Sequence, residues 1–150
     1  MINLKDSIEI KTTPKEIFKW FLHFEENFHA WHPDHIDCRW LKGKPFEEGS
    51  ILYIEEYLHG KPHKMKFLGT KVEPNRKIEY KLLFPISIIC PKGSFSIEPK
   101  GENCIFTATL SFRFGWIFSR FAKDRVKAIK KHMKEEGENL KRILESEKSS

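Results

Sequence analysis

The sequence predicts an α+β domain in which a curved antiparallel sheet of about seven strands wraps around one long C-terminal helix, with two short helices after the first strand. Three observations carry this reading. The last long segment, from Trp116 to Leu144, repeats apolar residues at helical spacing, the segments before it alternate at strand spacing, and a capping box opens a helical pair after the first strand. A chain of 150 residues is large enough for one core without covalent staples. Residues 1–146 read as one domain and 147–150 as a polar tail.

Along the last segment, Phe118, Phe121, Ala122, Val126, Ile129, Met133, Leu140, Ile143 and Leu144 fall on one stripe at about 100° per residue. Lys123, Lys127, Lys130, Lys134, Glu138 and Lys141 take the opposite face. Such a helix cannot bury its stripe against itself, and the strands before it supply the partner surface. Glu136 breaks the pattern. It lies inside the apolar arc, with His132 one turn back on its flank and Arg125 two turns further back. Inward ionisable groups are costly unless they are paired, protonated or metal-bound.

In chain order, residues 2–11 alternate, with Ile2, Leu4, Ile8 and Ile10 against polar neighbours, and predict a strand with an irregularity near Asp6 and Ser7. Thr13-Pro14-Lys15-Glu16 is the capping box, with proline at the first helical position. The helix it opens runs through Leu22 and turns Ile17, Phe18 and Phe21 inward. A second helix spans about 24–30, and Pro33 stops helical structure by restraining the residue before it. A strand over about 36–41 is followed by a connection marked by Gly43-Lys44-Pro45 and Glu48-Gly49. Residues 50–59 and 62–73 predict a hairpin turning at Gly60-Lys61. With Leu58 opposite His63, Glu55 faces Lys66 and Tyr57 faces Lys64 on the solvent side. Ile54, Glu56 and Leu58 then share the inner face with His63, Met65 and Phe67. Pro74-Asn75-Arg76 turns the chain into strands over 77–84, 93–99 and 103–113. This order leaves a cavity between sheet and long helix, with the short helices at one end.

Composition narrows the function classes. The net charge is +6, but the lysines are interleaved with Glu along the chain rather than gathered in a stripe with stacking aromatics, so no nucleic-acid partner is read. Cys38, Cys90 and Cys104 are isolated and odd in number, which argues against a disulfide framework and fits a reducing cytosol. The N-terminus has no apolar leader and no stretch reaches the roughly 18 apolar residues of a membrane span. The reading is a soluble, cytoplasmic protein without membrane insertion, its oligomeric state open. Phe18, Phe21, Phe67, Phe84, Phe112 and Phe118 read as core, while Trp31, Trp40 and Trp116 flank connections and are candidates for the cavity mouth.

Four passages resemble the START-like superfamily, also called Bet v 1-like or SRPBCC, and within it the small polyketide cyclase/dehydrase-type proteins. Thr12-Thr13-Pro14-Lys15-Glu16-Ile17-Phe18 resembles the passage from first strand to first helix. Leu41-Lys42-Gly43 with Glu48-Gly49-Ser50 resembles the glycine-framed entry to the hairpin, and Val72-Glu73-Pro74-Asn75-Arg76-Lys77-Ile78 the turn after it. Glu136-Gly137-Glu138-Asn139-Leu140-Lys141 resembles the family's helix ending. The resemblance implies a helix-grip fold around an apolar cavity that takes small hydrophobic molecules. It does not imply one activity, since the superfamily includes cyclases, lipid carriers, hydroxylase domains and cochaperone modules.

The unusual feature is the polar set expected to face that cavity. His29, His32 and His35 are spaced three apart, with Pro33 fixing the turn between the last two. Glu56 and His63 come from the inner face of the hairpin, and His132 and Glu136 from the long helix. His32, His35, Glu56, His63, His132 and Glu136 are therefore candidate metal ligands, a mixed His/carboxylate set that suits Zn²⁺, or Fe²⁺ and Mn²⁺ where positions stay open. The plainer reading has His32 and His35 bonded to backbone, Glu56 neutralised by Arg125, His63 exposed at the hairpin tip and His132 turned to solvent. Without a metal, Glu56 with His32 or His35 is the candidate catalytic acid/base pair. The candidate ligand cavity is lined by Trp31, Ile54, Met65, Phe67, Phe118, Arg125, Ile129 and Met133.

Three functions compete at this point. The first is a carrier of a small hydrophobic or aromatic molecule whose polar end is read by the His/Glu cluster, with or without a divalent ion. The second is a cyclase- or dehydratase-type enzyme using the same groups. The third is a cochaperone-like interaction module acting through the outer hairpin face, where Tyr53 and Tyr57 lie.

Overall fold

Strand β1 (Ile2–Ile10) leads into α1 (Pro14–Leu22) and α2 (Phe24–Trp31), and then into a run of six strands. These are β2 (His35–Lys42), β3 (Ile51–Leu58), β4 (Lys61–Glu73), β5 (Lys77–Leu82), β6 (Lys92–Lys100) and β7 (Asn103–Phe112), with a 3-10 turn at Ile86–Ile88. The chain closes with α3 (Ala122–Ser149). The computed structural model describes residues 1–58, 60–113 and 122–149. Trp116, Phe118 and Phe121 lie outside them. No helix among the described residues is long and apolar enough to cross a membrane.

The capping box acts as its residues dictate. Thr13 has extended backbone and its hydroxyl accepts the Glu16 N–H at 3.3 Å, which satisfies one of the donors a helix start leaves open. In α1, Ile17, Phe18, Trp20 and Phe21 are buried, and in α2, Phe24, Phe28 and Trp31 follow at spacings of four and three. Their rings interlock: Phe21 meets Trp20 and Trp31 edge-on and stacks on Phe106 of β7. The two short helices are thereby fixed to one end of the sheet.

All seven strands form a single antiparallel sheet in the order β1-β7-β6-β5-β4-β3-β2. The expected irregularity in β1 is absent. Pairing runs unbroken from Ile2–Phe112 to Ile10–Cys104, so Asp6 simply takes its turn on the inner face between Leu4 and Ile8. The hairpin register also differs from the sequence expectation, by two residues. Glu56 pairs with His63, Ile54 with Met65 and Leu52 with Phe67. A slip of two preserves which side chains face inward, because the side-chain period of a strand is two. The connection between Leu58 and Lys61 is as short as the expected one but lies one residue earlier in the chain, and moving a turn by one residue shifts the pairing by two.

Phe84 does not join the core. β5 ends at Leu82, and Phe84 is 76% exposed in the connection that follows. The helix α3 extends to Ser149, beyond the end set by its apolar stripe at Leu144. Met133, Leu140 and Leu144 are buried, as the stripe requires. α3 lies closest to the sheet where it crosses β1. A Cβ on Gly137 would sit 3.0 Å from Asp6 Oδ2 and 3.5 Å from Ile8 Cγ2, so the absence of a side chain there sets the approach. Further along, the Lys141 ammonium donates to the Glu9 carbonyl and the Lys11 N–H to the Glu145 carboxylate.

Candidate functional site

Between the inner face of the sheet and α3 lies a cavity of about 460 Å³. The sheet contributes Ile54, Met65 and Phe67 to its wall, α2 contributes Trp31, and α3 contributes Arg125, Ile129 and Met133. Phe118, also expected there, falls outside the described residues. Trp31 is not at the mouth. It is 3% exposed and wedged between helices, its indole N–H donating to the Glu136 carbonyl at 2.8 Å while its own carbonyl accepts from the Asn139 amide at 2.9 Å. Trp40 reaches the cavity from β2, and its buried indole N–H has no hydrogen-bond partner.

Four ionisable side chains converge beside this chamber. His35 from β2, Glu56 from β3, and His132 and Glu136 from α3 each turn one donor atom inward, and the four atoms lie within 4.8 Å of one another. His132 and Glu136 are four apart, hence on one helix face. His35 and Glu56 are direct partners in the β2–β3 ladder. The His35 ring is fixed on both sides. It stacks on Phe28 at 3.9 Å between centroids, and its Nδ1 lies 2.7 Å from the Phe28 carbonyl oxygen. A carbonyl can only accept, so Nδ1–H donates, and Nε2 is left to face the carboxylates. That Nε2 is 2.9 Å from Glu136 Oε2 and 3.4 Å from Glu56 Oε2. His132 Nε2 is 3.3 Å and 3.6 Å from the same two oxygens, outside hydrogen-bonding geometry, and is otherwise unpartnered and buried.

Burial and mutual charge pull these groups in different directions. For Glu56, burial pushes the carboxyl upward, the neighbouring Glu136 adds to it, and His132 and His35 only partly oppose the rise. For Glu136, burial works the same way but His132 and His35 outweigh it, so its pKa falls below the usual carboxylate value. Burial also disfavours charge on His132, yet the carboxylates of Glu136, Glu56 and Asp34 hold its pKa up to about 9. The two glutamates are thus driven apart, one toward the acid and the other toward the carboxylate.

The remaining candidates stand at different distances from this group. His32 is buried, accepts the Asp34 N–H on Nδ1 at 3.0 Å, and packs on His132 with ring centroids 4.1 Å apart. Burial, then the charge of His132, lowers its pKa. His32, Asp34 and His132 form a second, more open set of convergent donors. His63 lies across the ladder from Glu56 and lines the cavity, but does not join the four converging atoms. Arg125 is exposed and, among the described residues, makes no ion pair with Glu56, so the alternative of a Glu56–Arg125 pair gives way to histidine contacts.

Two residues join the site beyond those the sequence singles out. Asp34 lies beside His32 and His132. Tyr80 extends into the cavity from β5, where burial holds its phenol well above the ordinary value. Alternation with the buried Ile78 and Leu82 is the sequence signal that puts Tyr80 inward. The ring is accommodated by Gly93, its direct partner in β6. A Cβ there would lie 2.5 Å from the Tyr80 hydroxyl.

Comparison with known structures matches this architecture across the chain. The structure of Ara h 8.0201 superposes with a TM-score of 0.74 at 13% identity, covering 97% of this chain and 98% of that one. The Zhui aromatase/cyclase from Streptomyces sp. R1128 gives a TM-score of 0.72 at 11% identity, with 96% and 93% covered. The di-domain ARO/CYC StfQ from the steffimycin biosynthetic pathway gives 0.78 at 12% identity, with 99% of this chain on 52% of that one. At these identities the likeness concerns the fold, which is the helix-grip fold. A comparison with curated protein sequences finds no match. The profile of one family, described as polyketide cyclase / dehydrase and lipid transport, matches residues 1–145. With fold and sequence profile in agreement over nearly its whole length, the chain belongs to that polyketide cyclase/dehydrase and lipid-transport family within the START-like superfamily.

Proposed function

We propose that this protein binds a small hydrophobic or aromatic molecule in the cavity between sheet and α3, with the molecule's polar group directed at Glu56, His132 and Glu136. The observation that carries the proposal is the distribution of chemistry on the wall. Met65, Phe67, Ile129 and Met133 are apolar, whereas Glu56, His132 and Glu136 converge on one point of the wall. Such a chamber favours a ligand with an apolar body and one polar end, because a few placed polar groups fix orientation while the apolar wall supplies affinity. The family description, which includes lipid transport, agrees with this class of ligand.

One observation favours a second reading, a cyclase- or dehydratase-type enzyme. Glu56 has its pKa raised inside an apolar chamber and lies within 4 Å of two imidazoles, the arrangement needed to hand a proton to a bound carbonyl or hydroxyl and take one back. The two readings share the cavity and differ in whether turnover follows binding.

The test is a fluorescence titration with the neutral apolar probe N-phenyl-1-naphthylamine on the wild type and on Met65→Trp and Ile129→Trp, which fill the chamber from opposite walls. Saturable enhancement, weakened about tenfold or more by each substitution, supports the cavity as the binding site. Enhancement that is absent, or unchanged by both substitutions, overturns it.

A further inference from the structure

We infer that His35, Glu56, His132 and Glu136 form the site of one divalent metal ion, zinc by the chemistry of the donors, set into the cavity wall. The inference stands on this cluster and is independent of what occupies the cavity.

Distance is the first argument. Zinc bonds of about 2.1 Å to histidine nitrogen and carboxylate oxygen give a tetrahedron with edges of about 3.4 Å. The four nitrogen–oxygen separations are 2.9, 3.3, 3.4 and 3.6 Å, and all four donor atoms lie within 4.8 Å of one another. Donor atoms from three separate elements therefore already outline a polyhedron of the right size.

The second argument is the orientation of lone pairs. Because His35 Nδ1–H donates to the Phe28 carbonyl, neutral His35 aims the lone pair of Nε2 at two carboxylate oxygens that also carry lone pairs. Either a shared proton or a cation has to lie between them. Donation of the far ring N–H to a backbone carbonyl is also how a ligating histidine is held in the tautomer a metal requires. His132 Nε2, buried and without a hydrogen-bond partner, points into the same space.

Charge is the third. Two carboxylates and two neutral imidazoles offset the charge of one divalent cation, leaving a neutral site in an apolar wall. Among the described residues, no lysine or arginine forms an ion pair with Glu56 or Glu136 to do this instead. His32 is excluded from the inner set because its Nδ1 lone pair is engaged by the Asp34 N–H.

The ion's position also gives it access to a bound molecule. Glu56, His132 and Glu136 line the cavity, whereas the His35 side chain is fully buried behind them. An oxygen on the cavity side can enter as a fifth ligand, as four-coordinate zinc sites allow.

The experiment uses full-length protein purified without a histidine tag and equilibrated with Zn²⁺, then with Co²⁺ as a spectroscopic substitute. Expected are about one zinc per chain retained through gel filtration and an intense visible Co²⁺ band of the tetrahedral type. Affinity should fall about 100-fold or more in His132→Ala and in Glu136→Gln, and stay within about threefold of wild type in His63→Ala. Failure of the wild type to retain zinc, or a weak octahedral-type cobalt spectrum, overturns the site without reference to any variant. Equal retention in folded His132→Ala and Glu136→Gln overturns it as well, and assigns the metal to surface histidines.

Discussion

His35 and Glu56 face each other directly across the β2–β3 ladder, with His35 Nε2 lying 3.4 Å from Glu56 Oε2. The relationship depends on a bulge. Pairing passes from His35–Glu56 to Asp37–Glu55, which leaves Ile36 as an extra residue in β2. Without it, strict alternation would place His35 and Cys38 on opposite faces; with it, both are buried on the inner side. Glu56 pairs with His63 on its other flank, so three ionisable residues cross three strands in one row.

Trp31 joins the short helices to the element that carries His132 and Glu136. Trp31→Phe keeps most of the buried ring but removes the indole N–H that reaches the Glu136 carbonyl at 2.8 Å. The expected loss is about 1–2 kcal/mol in a denaturant unfolding titration. A loss within experimental error would show that this bond contributes nothing to docking α3.

Asp6 gives a pH signature away from the cluster. Burial beneath α3, helped by the charge of Glu138 and opposed by Lys134, raises its pKa in the folded protein. A carboxyl raised on folding favours the native state at low pH and withdraws that support as pH rises through its folded value. Asp6→Asn removes the penalty above that value. The variant is expected to be more stable than wild type at pH 7, by less than about 1 kcal/mol because Asp6 is only half-buried, with the advantage disappearing below the unfolded pKa. Paired unfolding curves at acid and neutral pH check both the sign and the trend.

Gly93 makes room for Tyr80. Its absent Cβ would lie 2.5 Å from the Tyr80 hydroxyl and 2.9 Å from the Thr109 carbonyl. Gly93→Ala is expected to destabilise by about 1–3 kcal/mol. Part of that loss should return in the double variant with Tyr80→Leu, measured as non-additivity in a double-mutant cycle. Strict additivity would separate the two positions.

The cysteines should be inert in the native protein. Burial, then the charges of Glu25 and Asp37, pushes the Cys38 thiol up to about 12, and burial pushes Cys90 up to about 12 as well. At pH 8 roughly one such thiol in ten thousand is ionised. Iodoacetamide labelling of Cys38 and Cys90, followed by peptide mass spectrometry, should be about 100-fold or more slower than in the urea-unfolded chain. Comparable rates would contradict their burial.

Much of this architecture is legible in the residues. The stripe of α3, the capping box at Thr13 and the alternation of the strands follow from periodicity and side-chain chemistry that act locally. Glu136 stands out because its position inside an apolar arc is itself a property of spacing. The hairpin shows where such reading stops. The parity of Glu56 depends only on counting by two, whereas its partner depends on where the turn falls, and a turn one residue earlier shifts the pairing by two. The bulge at Ile36 leaves no mark in the composition, because any residue can be left over in a ladder. Neutralisation of Glu56 by Arg125 is the plainer reading of the sequence, but side-chain reach and the nearer imidazoles of His35 and His132 decide the contact. Asp34 is inconspicuous in the sequence for a different reason. A carboxylate in a tight turn has so many local roles that only its approach to His32 and His132 sets it apart.

The most direct measurement of the account is methyl NMR of the three methionines during titration with a neutral aromatic probe such as N-phenyl-1-naphthylamine. Met65 and Met133 line the cavity from the sheet and from α3, whereas Met1 is 65% exposed at the chain start. Binding between sheet and helix shifts the Met65 and Met133 methyl signals together, with one saturation curve, and leaves Met1 in place. Shifts confined to Met1, or no saturable shift at any of the three, would contradict a ligand-binding cavity in this protein.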